Sequence, residues 1–253
     1  MRYRIPLLVF LFLISIKLTA AQTATDYVAE KPLYTPAGNE ATVTGTINVT
    51  GEVRKPRQID MTADPVCIQA NVKAYTDDLL VKDGKLEYAF VYVKSEFLNT
   101  HRFAVPDIDV MLVQRNCYFS PHVLGVRVGQ NLQIINSDQT VHNVHPTPKY
   151  NQEWNQTHPP NTQPMVKTFS RAEVLIPFKD NQHPWERAYV AVMDHPFFAV
   201  SDESGRFEIR GLPPGTYTLV VWHQSLGEQE LEITVAPGEL RTADFTFDAD
   251  KKH

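Results

Sequence analysis

The sequence predicts an all-β protein built from β-sandwiches. Apolar residues recur at period two and hardly anywhere at the helical 3.6: Val43, Gly45, Ile47 and Val49 alternate with Thr44, Thr46, Asn48 and Thr50, and Leu132, Ile134 and Asn136 alternate with Gln133 and Ile135. The segments with this pattern are short, rich in β-branched and aromatic residues, and bounded by turn residues. The 253-residue chain also carries 18 prolines, which suits many short strands joined by stiff turns.

From the N-terminus, residues 1–21 have a basic start (Arg2, Arg4), an apolar run from Ile5 to Ile16 and small residues at Thr19, Ala20 and Ala21. That is the layout of a cleavable secretory signal. A membrane anchor is the alternative, but the run is short of the roughly 20 residues a spanning helix needs, and Lys17 interrupts it. No membrane span is therefore expected after cleavage. Residues 22–40 lack periodicity and read as a linker. Strands are expected at 43–50, 88–94, 132–136, 189–193, 206–209, 217–222, 230–235 and 242–247. Residues 146–164, PTPKYNQEWNQTHPPNTQP, read as a long polar loop in which His158 is solvated.

A net charge of -5, from 24 basic and 29 acidic residues, provides no basic field for nucleic acid and excludes it as a partner. Cys67 and Cys117 belong to a chain read as exported, where an oxidising compartment allows a disulfide. A metal thiolate at Cys117 is the other use. There is no G-x-S-x-G elbow, phosphate-binding glycine loop or H-E-x-x-H helix. The chain is expected not to be an enzyme.

Near the C-terminus, SDESGRFEIRGLPPGTYTL places turns at 202–205 and 212–215, with Gly205 and Gly215 expected at positive φ. This stretch resembles the carboxypeptidase regulatory-like domain, a transthyretin-like sandwich related to carbohydrate-binding-like folds. The resemblance implies an initial V-x-G-x-V strand and a later A-x-V-x-V strand, and the matching pieces, 43–47 and 89–93, lie far upstream. The simplest arrangement is a split sandwich, 41–100 and 197–248, with a second domain inserted at 103–196. Two domains in series, with a boundary near residue 198, is the alternative.

The inserted part holds CYFSPHVLGVRVGQNLQIINSDQTVHNVH and VLIPFKDNQHPWERAYVAV. These resemble the cupredoxins, the plastocyanin-like blue copper proteins, through a Pro-containing strand, a V-x-x-G-Q turn, a strand ending N-x-D-x-x-x-H, and a ligand loop of the C-x-x-H-P-x-M type. The resemblance covers about a third of the chain, and with the regulatory-like segment it points to a group of exported bacterial proteins, periplasmic or secreted. It implies His142 and His183 as ligands, with Asp180 where the cysteine thiolate stands and Glu186 where the axial methionine stands. Carboxylates are harder ligands than sulfur and favour a divalent ion over Cu(I). A blue copper electron-transfer role is therefore not expected.

Three readings of the site follow. His142, His183, Asp180 and Glu186 bind a divalent ion, copper or zinc; or the site holds no metal and its carboxylates pair with histidine or Arg187; or the ligands come from His145, His195, His223 and His122. His142 and His145 would face opposite sides of one strand, and structural hydrogen bonding is the plainer use of His195 and His223. At the level of the whole chain, the alternative to a metal protein is a noncatalytic glycan- or protein-binding module with a vestigial copper site. In that case Trp154, Trp185 or Trp222 would either pack in the core or stack on a sugar.

Overall fold

The computed structural model describes residues 30–251, so the signal reading of residues 1–21 lies outside the described residues, as does most of the proposed linker. From Lys31 onward the chain forms one compact unit. In Ala41–Thr50 every second side chain is buried, as period-two patterning requires. This strand pairs antiparallel with Arg206–Leu212 and Lys85–Leu86, and parallel with Leu240–Thr242 and Phe245–Asp248. The single strand expected at 242–247 is thus two. Ala243 and Asp244 step out between them, and Asp244 Oδ1 accepts the Thr46 N–H at 2.8 Å. Gly45 is required at this crossing, because a Cβ there would lie 1.9 Å from the Ala243 carbonyl oxygen.

Phe90–Lys94 is buried at four successive positions because it is covered on both faces. It pairs with Phe198–Val200 and Gly215–His223, and the latter pairs with Gly227–Val235. Val91 and Val93 join Val43, Ile47, Phe207, Leu219 and Phe247 in one core. Phe90 and Tyr92 point the other way, onto Val123, Ala191 and Met193. Each large side chain so buried contributes roughly 1.5–3 kcal/mol.

Strands between residues 110 and 193 pair among themselves. One sheet joins Val110–Arg115, Tyr118–Ser120, Leu132–Asn136 and Met165–Lys167; the other joins Val123–Arg127, His142–Pro146, Gln156–His158, Glu173–Lys179 and Arg187–Met193. Between them lies a second core that includes Leu112, Phe119, Ile134, Val144, Ile176, Phe178 and Val190. Where the chain enters and leaves this set, buried Arg127 donates to the carbonyls of Phe103, Ala104, Met193 and Asp194. One guanidinium thus ties both crossings together, with charged hydrogen bonds of the stronger kind.

Several expectations need correction. The 146–164 segment is not all loop, since Gln156–His158 pairs with His142–Pro146, and His158 is buried, not solvated. The final part of the linker is attached: Leu33 bridges Arg102, and the Tyr34 ring packs on Phe97 and Phe103. Gly205 has positive φ, but in the second turn Gly211 takes it in place of Gly215. Cys67 and Cys117 are bonded to each other, which removes Cys117 as a free metal thiolate.

Candidate metal centre

The centre forms where two segments meet at one end of the second core. His142 opens the strand His142–Pro146, and Asp180, His183 and Glu186 lie on the loop between Glu173–Lys179 and Arg187–Met193. That loop is folded by its own first residue. Asp180 Oδ1 accepts the N–H groups of Gln182 at 2.6 Å and His183 at 2.9 Å, and Glu186 N–H donates to the His183 carbonyl at 2.9 Å. An Asx-type turn of this kind suits Asp and leaves its second oxygen free to face inward. Asp180 Oδ2 takes the Asn143 N–H at 2.8 Å, which clamps the loop to the neighbouring strand.

All four side chains are buried, with His142 and Glu186 at 0% exposure. One ligand atom from each lies within 4.8 Å of the others. His142 Nδ1 stands 3.0 Å from His183 Nδ1, 3.2 Å from Asp180 Oδ2 and 3.0 Å from Glu186 Oε1; His183 Nδ1 stands 3.3 Å from Asp180 Oδ2.

The outer ring nitrogens explain why these inner contacts are not ordinary hydrogen bonds. His142 Nε2 lies 2.9 Å from Asp138 Oδ2, and His183 Nε2 lies 3.2 Å from Asp64 Oδ2. An ionised carboxylate only accepts, so each Nε2 carries a hydrogen, and in the neutral ring Nδ1 then presents a lone pair. Two imidazole lone pairs and two carboxylate oxygens therefore converge on one point. Glu186 Oε1, although 3.0 Å from His142 Nδ1, is not aligned with it and has no hydrogen-bond partner. Four donor atoms in this relation repel one another unless a cation or several protons lie between them.

The spacing suits a cation. A tetrahedral ion with bonds of about 2.0–2.1 Å separates its ligand atoms by about 3.3 Å; the three distances from His142 Nδ1 and the one from His183 Nδ1 to Asp180 are 3.0 to 3.3 Å, and all the ligand atoms lie within 4.8 Å of one another. The histidine–carboxylate pairs at the outer nitrogens are the usual supports of metal-bound imidazoles.

Protons are the competing solution, and they set the charge state when no ion is present. Burial alone would lower the His142 pKa, but the Asp138 and Asp180 carboxylates that accept from the ring, and the negative charge of Glu186 beside it, outweigh burial and raise it to about 11. Burial is likewise overcome at His183, raised mainly by Asp180, and at Asp180, held below the ordinary carboxylate range by the two histidines. Burial wins at Glu186, whose pKa rises despite His142. Two imidazolium rings would then set Nδ1–H against Nδ1–H at 3.0 Å, an arrangement that a bound divalent ion relieves.

Asp138 and Asp64 were missed as participants. Asp138 stands in the N-x-D-x-x-x-H stretch and also accepts the N–H groups of Asn116 and Cys117. Asp64 caps the short helix Pro65–Ala70 through Oδ1 and takes the Thr140 hydroxyl at 2.6 Å through Oδ2. The disulfide ties that helix to Cys117, and Trp185 donates to the Cys117 carbonyl at 3.0 Å, so the edge of His183 is covered by protein.

The remaining candidates lie elsewhere. Arg187 is exposed and donates to the Pro184 carbonyl, not to the site carboxylates. His145 pairs with Glu153 at 2.8 Å, on the other side of its strand from His142. His122 contacts Asp77 and Gln224; His195 and His223 accept the backbone N–H groups of Phe197 and Ser225. Burial lowers the pKa of His195 and His223 to about 4. Trp154 packs on Phe178 and under Lys167, and Trp222 on Tyr189.

The sequence profile of a carboxypeptidase regulatory-like domain matches residues 179–248, beginning at the last residue of the strand before the ligand loop and so reaching into the 110–193 set. Curated protein sequences yield no match. Among solved structures, the chain is similar to a copper-containing nitrite reductase from Thermus scotoductus at 16% identity, over 36% of this chain and 24% of that one, with a TM-score of 0.33. It thus spans about a quarter of that enzyme's length. A purple cupredoxin from Nitrosopumilus maritimus is 18% identical over 34% of this chain and 100% of its own, with a TM-score of 0.29. A reduced amicyanin variant is 25% identical over 41% of this chain and 98% of its own, with a TM-score of 0.30. The chain is an all-β protein with a carboxypeptidase regulatory-like match at its C-terminal end and cupredoxins among its structural neighbours.

Proposed function

We propose that His142, His183, Asp180 and Glu186 hold one divalent cation, zinc or copper(II), in an exported, noncatalytic protein. One observation carries this reading: four buried donor atoms lie within 4.8 Å of one another, three of them 3.0 to 3.2 Å from His142 Nδ1, while both outer imidazole nitrogens are committed to aspartates. Zinc or copper(II) accepts such a mixed imidazole and carboxylate set, and without sulfur the set does not suit Cu(I). With no sulfur ligand and the His183 edge covered, the centre retains its ion and does not pass electrons. The strand pairing supports an inserted domain, roughly 103–196, within a split regulatory-like sandwich, and the bonded cysteines support periplasmic or secreted placement.

Metal content is the test. Protein loaded with zinc or copper(II) and dialysed is expected to keep about one ion per chain, and a His142→Ala, His183→Ala double variant to keep none. Metal-free protein whose melting is unmoved by either ion would overturn the reading. The second reading, a module that binds a glycan or protein partner, draws on a cleft of about 750 Å³ lined by Tyr92, Tyr189 and Trp222. Tyrosine and tryptophan faces stack on sugar rings, and a panel of immobilised glycans would test that.

A further inference from the structure

Glu186 Oε2 accepts the side-chain amide of Gln114 at 3.0 Å. On the far side of that amide, Gln114 Oε1 lies 2.9 Å from His158 Nδ1. An amide oxygen only accepts, so His158 Nδ1 carries the hydrogen and the amide is pinned with its nitrogen toward Glu186. That nitrogen also reaches the Asn143 carbonyl at 3.3 Å. Gln114 is wholly buried and His158 is 1% exposed. His158 stands directly opposite His142 on the paired strand, and its Nε2 has no hydrogen-bond partner. The ring is held through Nδ1 alone. A buried glutamine and a buried histidine are costly unless they serve each other or a third group; here the amide nitrogen serves Glu186 Oε2 at 3.0 Å, with Asp180 Oδ2 more distant at 3.5 Å.

We propose that Gln114, locked by His158, is a positioning residue: it occupies Glu186 Oε2 and leaves Oε1 as the only oxygen of that carboxylate free for the cation. The inference rests on the metal reading above and adds what sets its coordination number. A glutamate free at both oxygens chelates and raises the number, which favours larger ions. A glutamate held at one oxygen keeps the centre four-coordinate.

The test uses the full chain loaded with Co(II), because four-coordinate cobalt absorbs visible light several-fold more strongly than cobalt of higher coordination. Wild-type protein is expected to show the strong band. Gln114→Leu, similar in shape but without the amide, is expected to lose at least half of it, with zinc affinity lowered roughly tenfold. His158→Asn, which keeps a donor near the Nδ1 position, should retain the wild-type band, and His158→Phe should lose it as Gln114→Leu does. A wild-type band in folded Gln114→Leu overturns the inference; if that variant fails to fold, a wild-type band in His158→Phe does so. Wild-type protein that takes up no cobalt removes the metal reading as well, whereas cobalt uptake with unaltered variant spectra removes only the positioning role.

Discussion

The Nδ1 atoms of His142 and His183 lie 3.0 Å apart in the protein interior, while their Nε2 atoms turn outward to Asp138 and Asp64. Each aspartate thereby determines which ring nitrogen is left to face the other ring. The properties of the centre follow from that division.

Cation binding must displace protons. Without metal, both imidazole rings have raised pKa values, His142 to about 11, so loading at pH 7 is expected to release at least the His142 proton. Calorimetry in buffers of different ionisation enthalpy measures this. The pH dependence of stability follows with opposite signs. His142 has a folded pKa above its unfolded value of about 6.5, so its contribution is complete below that pH and is lost as pH rises through about 11. The melting temperature of metal-free protein should therefore fall from neutral to alkaline pH, and the increment added by zinc should grow over the same range. Asp180, held low, loses its contribution on acidification instead.

Asp138→Asn leaves one acceptor oxygen where two are used, Oδ1 by the Asn116 N–H and Oδ2 by the Cys117 N–H and His142 Nε2, so an NH2 group faces a donor. Zinc affinity is expected to fall about 10- to 100-fold, the usual range for such supporting groups. Asp64→Ala should weaken binding similarly and also cost about 1 kcal/mol of stability through the lost helix cap. A chelator competition titration reads the first effect and urea unfolding the second.

Replacing Cys67 and Cys117 together by serine opens a loop with a sequence separation of 50. The expected loss in metal-free protein is about 4 kcal/mol by chain entropy, measured by denaturant unfolding. Because the disulfide also holds the segment carrying Asp64, zinc should leave the variant faster when a chelator is added.

Asp180→Cys combined with Glu186→Met restores the sulfur ligands implied by the cupredoxin resemblance. Copper(II) bound to two imidazoles and a thiolate gives an intense visible charge-transfer band. The double variant should show it, and wild-type protein loaded with copper(II) should not. A band in wild-type protein would show that Cys67 or Cys117 is a free thiolate bound to the copper, contrary to the disulfide.

Much of this was legible in the sequence, for identifiable reasons. Strands such as Ala41–Thr50 carry strict alternation because one face is buried. His142 and His183 stood out through the cupredoxin resemblance, carried by the N-x-D-x-x-x-H stretch and by His-Pro in the loop before Arg187–Met193. Asp64 was hidden because it lies 119 residues from His183 and reads locally as an ordinary cap before Pro65. Gln114 left a faint signal: it follows Leu112 at period two on a buried face, where a polar side chain needs a reason. His158 was misread because the Asn- and Gln-rich composition around it resembles a solvated loop, while strand pairing buries it beside His142.

Anomalous X-ray scattering from crystals of protein loaded with zinc tests the central claim most directly. The account predicts a single strong peak about 2 Å from His142 Nδ1, His183 Nδ1 and oxygens of Asp180 and Glu186. A loaded crystal without that peak, or with its only peak outside these four residues, would contradict it.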